Sequence, residues 1–355
     1  MNESSSSTSA SSMLAGKSDG EIEDILDRML TRLALCDDSK LQDLLSKLLP
    51  LSISALSSPS QPVRNKVLEI LNHVNKRIKH QQEIGLPLLE LWKLYMECSF
   101  APMVRNFCVV YIEMAIDRAP KEDKENLIPT FLGIISKLPS QHQEILLRIS
   151  TKVIGECYSM QVSDEVADNY KNHGGLQDTM IFLDFGLHNL LYQATSQSER
   201  CPAGLSITQR DRVSGKKPLT SDMLQIRKLG ILNIVQAMDL PSELVYPLYL
   251  AASVDRYLES VARRGDELLK KNTSGVNLED INLINRLFLL FNGHTGPDQV
   301  PPDSRVTPAS PSLRVKLMIV FCRSILAANS FPSTLQCIFG CIFGKDIYLF
   351  GCIYQ

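Results

Sequence analysis

The sequence predicts an all-α fold, a HEAT- or armadillo-like α-solenoid of stacked antiparallel helix pairs. Three observations carry this. A short text returns at a nearly fixed interval, the apolar residues between its returns fall at helical spacing, and strand-like alternation is scarce in a chain with only 6% aromatic residues. The text is Pro62-Val63-Arg64 ahead of an apolar stripe of Val67, Ile70, Leu71, Val74 and Ile78. It returns as Pro102-Met103-Val104-Arg105 ahead of Phe107, Cys108, Tyr111, Ile112 and Ala115. Arg64 and Arg105 are 41 residues apart; Arg148 follows after 43, Arg227 after 79 and Arg314 after 87, so the last two intervals are two steps each. A period of about 40 to 47 residues with two helices per unit marks arrays whose neighbours stack to share a core.

The motif has a local reason. Proline pre-sets φ for the first helical turn, where its missing N–H costs nothing, so Pro62, Pro102 and Pro311 mark helix starts. Val63 and Val104 point into the unit, and the arginine beside each is expected at the inter-repeat turn, its planar fork bonding carbonyls or an acid of the next repeat. Arg64, Arg105, Arg227 and Arg314 are therefore read as stacking groups and not as catalytic ones.

Along the chain, residues 1–18 are Ser-rich, with too few large apolar side chains to offset the entropy of ordering, and are expected to be disordered. Helical repeats are expected over residues 19–340. Acids at Asp19 and Glu21 suit the start of a helix striped by Ile22, Leu26, Leu30 and Leu33, and a second helix carries Leu41 to Leu49 and stops at Pro50. Helices follow from Pro62 to about Lys79, after Pro87, and from Pro102; a charged turn at 120–124 precedes another at Asn126 to Leu138, then Gln141 to about Tyr158. Trp92, the single tryptophan, sits in apolar text and reads as core. Long loops are expected near 159–178, 194–220 and 293–310, separated by helices at Met180 to Gln193, Ser221 to Met238, Pro241 to about Arg264 and Leu278 to Phe291. The tail 341–355 is atypical: apolar, but broken by glycines and by Lys345-Asp346, which argues against a membrane span.

Chemistry is sparse. The six histidines are dispersed, no H-E-x-x-H, G-x-S-x-G, G-x-G-x-x-G or phosphate-loop spacing occurs, and Cys337, Cys341 and Cys352 make only a loose metal pattern. No catalytic residue, cofactor site or metal site is assigned, and an enzyme is not expected. A formal charge of -2 argues against a general nucleic-acid binder. The nine scattered cysteines, with no signal peptide, suggest buried reduced thiols in a protein of the cytoplasm and nucleus. The most basic stretch, Arg200, Arg210, Arg212, Lys216, Lys217, Arg227 and Lys228, contains two acids; it reads as a partner-docking loop or as a solvated one.

The run from Leu26 to Tyr95, with FLDFGLHNLLYQ, SVDRYLESVARRGDELLKK and SPSLRVKLMIVFCRSI further on, resembles the N-terminal part of the large HEAT-repeat proteasome adaptor and scaffold family, the Ecm-type proteasome component, in a plant-like form. The resemblance spans about Ile22 to Gly340. It implies a non-enzymatic scaffold that binds the 26S proteasome and helps hold or monitor the association of core and regulatory particles. It also implies partners among proteasome subunits and other proteins, with no nucleic acid and no membrane insertion. Family members are several times longer, so the chain reads as a shortened form, and Lys345 to Gln355 departs from the family's text. The alternative is a HEAT scaffold for another assembly, such as nuclear transport or a phosphatase complex.

Overall fold

The computed structural model describes residues 16–171, 174–194, 201–215, 217–294, 300–330, 333–335 and 337–338. Among these there is no strand, and the helices stack in pairs as an α-solenoid. They divide into two compact units, residues 1–127 and 128–355.

The first unit holds α1 (Asp19–Leu35), α2 (Asp38–Ser54), α3 (Gln61–Ile78), α4 (Leu88–Glu97) and α5 (Pro102–Ile116). Ser18 is not part of a disordered arm: it caps α1 in a reciprocal box, accepting from the Glu21 amide while its own amide donates to the Glu21 carboxylate at 2.7 Å. α2 runs through Pro50 instead of stopping there. An interior proline costs about 3 kcal/mol, but Leu48, Leu49, Leu51 and Ile53 are all buried beyond or beside it, each worth about 1.5–3 kcal/mol. Burial wins. α1 packs on α3 and α2 on α4, forming two rows, and α4 pairs with α5. Trp92 lies in this core, stacked on Tyr95 with ring centroids 5.2 Å apart.

One device recurs between neighbours. The last carbonyls of a helix have no partner within it, and here the next helix of the same row supplies a donor. Arg77, in the last turn of α3, donates to the carbonyls of Leu33 and Cys36 at the end of α1, both at 2.8 Å, and pairs with Asp38. Arg118, just beyond α5, donates to the Ile78 carbonyl at the end of α3 at 3.1 Å. Tyr111 of α5 adds a bond to Asn75 of α3 at 2.9 Å. Arg77 and Arg118 are 41 residues apart, the period of the sequence motif.

α6 (Lys121–Leu132) spans the boundary between the units. The charged turn expected at 120–124 is in fact its first turn, where Glu122 and Asp123 suit the positive end of the helix dipole. The second unit continues with α7 (Ser140–Tyr158), α8 (Asp164–Lys171), α9 (Leu176–Leu191), α10 (Ile207–Ser214), α11 (Ser221–Ala237), α12 (Ser242–Ala252), α13 (Glu259–Asn272), α14 (Ile281–Asn292), α15 (Pro311–Phe321) and α16 (Ile325–Asn329). The expected loop near 159–178 therefore contains a helix, α8, whose Ala167 and Tyr170 are buried. The helix expected from Pro241 to about Arg264 is broken into α12 and α13 by a turn at residues 253–258.

α7, α11 and α13 form one row and α9, α12 and α14 the other. Carbonyl capping returns with different residues: Asn233 of α11 donates to Tyr158 and Ser159 at the end of α7, at 3.0 and 3.2 Å, and Arg264 of α13 donates to the Asn233 side chain at 3.1 Å. Helix starts are bonded across pairs as well. Glu279 accepts the amides of Ile325 and Leu326 at the start of α16, at 2.8 and 2.7 Å.

The close rows depend on glycine. A Cβ at Gly230 would lie 2.5 Å from the Ile154 carbonyl oxygen, and one at Gly155 would lie 2.7 Å from the Arg227 Cα, so α7 and α11 cross backbone against backbone. Gly265 meets the Ser253 amide nitrogen in the same way at 2.5 Å. Backbone cannot move aside as a side-chain tip can. Gly230→Ala is expected to destabilise the protein by about 1–3 kcal/mol, read by urea unfolding. Gly186→Ala, whose Cβ would meet only side-chain atoms, at 3.3 and 3.5 Å, is expected to cost less; equal losses would refute the close crossing.

Buried Asp178 ties residues 135–137 to α9, accepting the amides of Ser136 at 2.8 Å and Gly175 at 2.9 Å. Burial pushes its carboxyl up, but those hydrogen bonds and Lys137 outweigh it, and the net shift is downward. A carboxyl held below its unfolded value stabilises above that value, about pH 3.9, and the contribution vanishes as pH falls through the folded one. Asp178→Asn is thus expected to be less stable than the parent at pH 7, with the gap closing below about pH 4. A gap unchanged from pH 7 into that range would show that the carboxylate charge is irrelevant.

Candidate functional site: the inserted segments of the second unit

Insertions in a helical array are the usual place for recognition, because they project from a rigid stack. Two interrupt the rhythm here. The first, near 194–220, contains the helix α10, capped at its start by Ser206 and Gln209 in a reciprocal box. It ends at Gly215, whose φ of +63° is the left-handed region that favours glycine. Arginines gather at this end, as the negative pole of a helix dipole favours. Arg227 of α11 reaches the Val213 carbonyl at 3.5 Å, and a Cβ on Gly215 would lie 3.1 Å from the Arg148 Nε. Arg212 pairs with Glu144 of α7 at 3.2 Å, and Arg210 with its neighbour Asp211 at 2.8 Å.

The second insertion, near 293–310, is not a free linker. Its described part bonds the first insertion over about a hundred residues of sequence. The Thr307 amide donates to the Leu205 carbonyl at 3.0 Å and the Gly204 amide to the Pro308 carbonyl at 3.0 Å. The Thr307 hydroxyl sits among the Gly204 amide and the carbonyls of Pro202 and Leu205, at 3.2, 3.1 and 3.0 Å, and the Thr208 hydroxyl donates to the Asp303 carbonyl at 2.9 Å. At its other side the segment is tied to α14: the His294 amide donates to the Val306 carbonyl and the Ala309 amide to the Leu290 carbonyl, at 2.9 and 3.0 Å. Gly293 makes this possible, with a φ of +65° and the Val306 carbonyl oxygen only 2.4 Å from where a Cβ would stand.

The basic stretch expected as one docking loop is divided by the fold. Arg200 and Lys216 lie outside the described residues, and Lys217 is exposed. Arg227 and Lys228 are buried in α11, which corrects their place in a surface patch: α11 is packed by α7, α8, α9, α12 and α13, and a side chain anywhere on its middle turns meets a neighbour. Lys228 bonds Asp255 at 2.6 Å, with the two side chains 1% and 2% exposed. Asp255 also accepts the amides of Tyr257 and Leu258, both at 3.0 Å, so its charge is fully engaged. Burial pulls the Lys228 ammonium down, opposed by Asp255, and brings the Arg227 guanidinium down to about 10, opposed by Glu156. His188 of α9 is lowered to about 4 by burial and by the Arg212 charge, and so is neutral at physiological pH.

The motif arginines reach backward along the chain. Arg64 donates to the Ser58 carbonyl at 2.7 Å and to Gln61, in the turn that starts its own helix. Arg105 donates to the Tyr95 hydroxyl at 2.7 Å and lies over that ring at 4.3 Å from its centre, and Arg314 lies over Phe291 of α14 at 4.7 Å. Pro62, Pro102 and Pro311 stand in first turns, while Val63 and Val104 are buried. The groups that do cap across repeats, Arg77 and Arg118, share the motif's period and could have been found by extending the lattice to helix ends. Asp255 and Thr307 carried no sequence signal.

Among the described residues no group of three potential metal ligands converges, and no helix is long and apolar enough to cross a membrane. Cys341 and Cys352 and the whole tail 341–355 lie outside the described residues. Of the seven described cysteines, only Cys108 and Cys337 are buried, which corrects the expectation that most would be. Burial pushes the Cys108 thiol up, so it behaves as a small apolar side chain.

Rows of paired helices, with polar groups capping helix ends and with inserted segments between pairs, define an α-solenoid. The match to known families is specific: the family described as Proteasome component ECM29, N-terminal, covers residues 26–348, and the chain belongs to it. Relatives include the Proteasome adapter and scaffold protein ECM29 of Homo sapiens, 29% identical over 353 residues, covering 90% of this chain and 19% of that protein. The Proteasome-associated protein ECM29 homolog of Drosophila melanogaster is 25% identical, covering 90% and 17%, and the Proteasome component ecm29 of Schizosaccharomyces pombe 23%, covering 88% and 16%. The chain thus spans less than a fifth of the length of these relatives. No solved structure matches.

Removing one member of a buried ion pair strands the other charge. Asp255→Ala is expected to cost about 3–5 kcal/mol, whereas Lys217→Glu at the surface should stay within about 0.5 kcal/mol of the parent. Chemical denaturation of both variants checks this; a mild Asp255→Ala would mean that water reaches Lys228.

Proposed function

We propose that this chain is part of a proteasome-associated adaptor and scaffold that contacts the 26S proteasome and helps hold or monitor the association of its core and regulatory particles. It works by binding, without catalysis of its own, in the cytoplasm and nucleus. The observation that carries the reading is the family match over residues 26–348, together with relatives that are named as proteasome adapter, scaffold or component. The all-helical paired architecture supports it, because such arrays bind partners through extended surfaces.

We assign a contact to the cationic side of the first insertion. Arg210, Arg212 and Lys217 remain there after Arg227 and Lys228 are withdrawn into the core, and insertions of a repeat array tend to map to its binding face. The test is affinity capture of proteasome from cell extract with ATP present, using the full chain and the Arg210→Glu/Lys217→Glu double variant. Recovery of core or regulatory subunits by the parent, reduced at least several-fold by the double variant, is the expected result. No recovery by folded parent protein would overturn the adaptor reading for this part of the array, and equal recovery by both proteins would remove the contact from the insertion.

A further inference from the structure

Helical arrays are quasi-one-dimensional, each pair touching only its neighbours, so stability adds pair by pair and the ends can open while the middle stays folded. The second unit departs from that scheme. The pair α7/α9 and the pair α13/α14 are separated in the array by α11/α12, yet they are joined. The backbone at Gly204 sits where a Cβ would touch Leu191 at the end of α9 and Leu290 of α14, at 3.3 and 3.4 Å. Arg286 of α14 pairs with Asp184 of α9 at 3.1 Å, across 102 positions of sequence. Over them lie the hydrogen bonds of Thr307 and Thr208, which hold the segment following α14 to the segment following α9.

We propose that the two inserted segments form a latch between helix pairs that are not neighbours, which makes the stretch from α9 to α14 open as one body and not pair by pair. The bonding explains why both interruptions fall where they do. One leaves the end of α9, the other the end of α14, and each supplies the other with backbone partners: the Gly204 amide donates to the Pro308 carbonyl and the Thr307 amide to the Leu205 carbonyl. Closing a loop of about a hundred residues costs little more entropy than closing a short one, because the cost grows only with the logarithm of length. A few bonds between distant insertions can therefore couple everything enclosed. This stands apart from the choice of partner: it concerns how the unit holds its own shape.

Hydrogen exchange by mass spectrometry on the full chain tests it, with Thr307→Val and the milder Thr208→Val as variants and urea unfolding as the second readout. Each removes hydroxyl bonds across the latch and touches neither α11 nor α12. The expected result is about five- to tenfold faster exchange, as loss of one or two hydrogen bonds gives. It should appear in residues 201–210 and 303–309 and also in α11 and α12, with a broadened or divided urea transition. Faster exchange confined to residues 303–309 in both variants, with α11 and α12 unchanged and the urea transition as sharp as in the parent, would overturn the latch. Should Thr307→Val fail to fold, Thr208→Val decides by the same comparison.

Discussion

The constraint on which the array depends is the helix end. Each helix leaves its last carbonyls without a partner, and a stack of short helices multiplies such ends while burying them against neighbours. In this chain the next helix of the same row meets the demand: Arg77 for α1, Arg118 for α3 and Asn233 for α7, while Arg264 of α13 holds the Asn233 side chain in place. The donor differs, but in these three cases it lies in the latter part of the next row helix or just beyond its end. Apolar burial alone leaves neighbouring registers of two leucine-rich helices close in energy, since the hydrophobic effect is non-directional. A guanidinium bonded to two named carbonyls is directional. The caps thus set register, and the apolar stripes supply most of the energy.

Where the rows come closest, register is fixed by shape as well. Gly155 and Gly230 allow α7 and α11 to touch through backbone, and Gly265 lets α13 reach the end of α12. In the α7–α11 pair the glycine contact at Gly155 lies within a turn of the capped Tyr158 carbonyl, so shape and polar bonding act together. Together they explain how a chain with a modest aromatic content builds an ordered stack from leucine, isoleucine and valine, residues that by themselves specify little.

Much of this was legible in the sequence, and the reason is periodicity. The Pro-Val-Arg text marked α3 and α5 because proline at a first turn and valine facing inward are local requirements, visible without any neighbour. What could not be read was whatever depends on partners far along the chain. Lys228 looked like surface because charge usually is, and Arg227 fitted both the stacking motif and the basic loop; their burial follows from five helices surrounding α11, and Lys228 is tolerated only because Asp255, 27 residues on, is delivered to it. The pairing of Thr307 with residues 202–205 is likewise a product of stacking. Short polar segments such as the one that became α8 mislead for a third reason: its two buried residues, Ala167 and Tyr170, are too few to show a helical stripe.

The buried Lys228–Asp255 pair has a consequence for heat. The cost of stripping water from ions falls as temperature rises, because their hydration is entropically unfavourable, whereas the gain from burying apolar surface levels off. A charged bond at the centre of the second unit, sealed from water on both sides, thus weighs more in the balance of forces when the protein is warm than when it is cold. The least oil-like part of the core is the part whose share of the holding grows on warming.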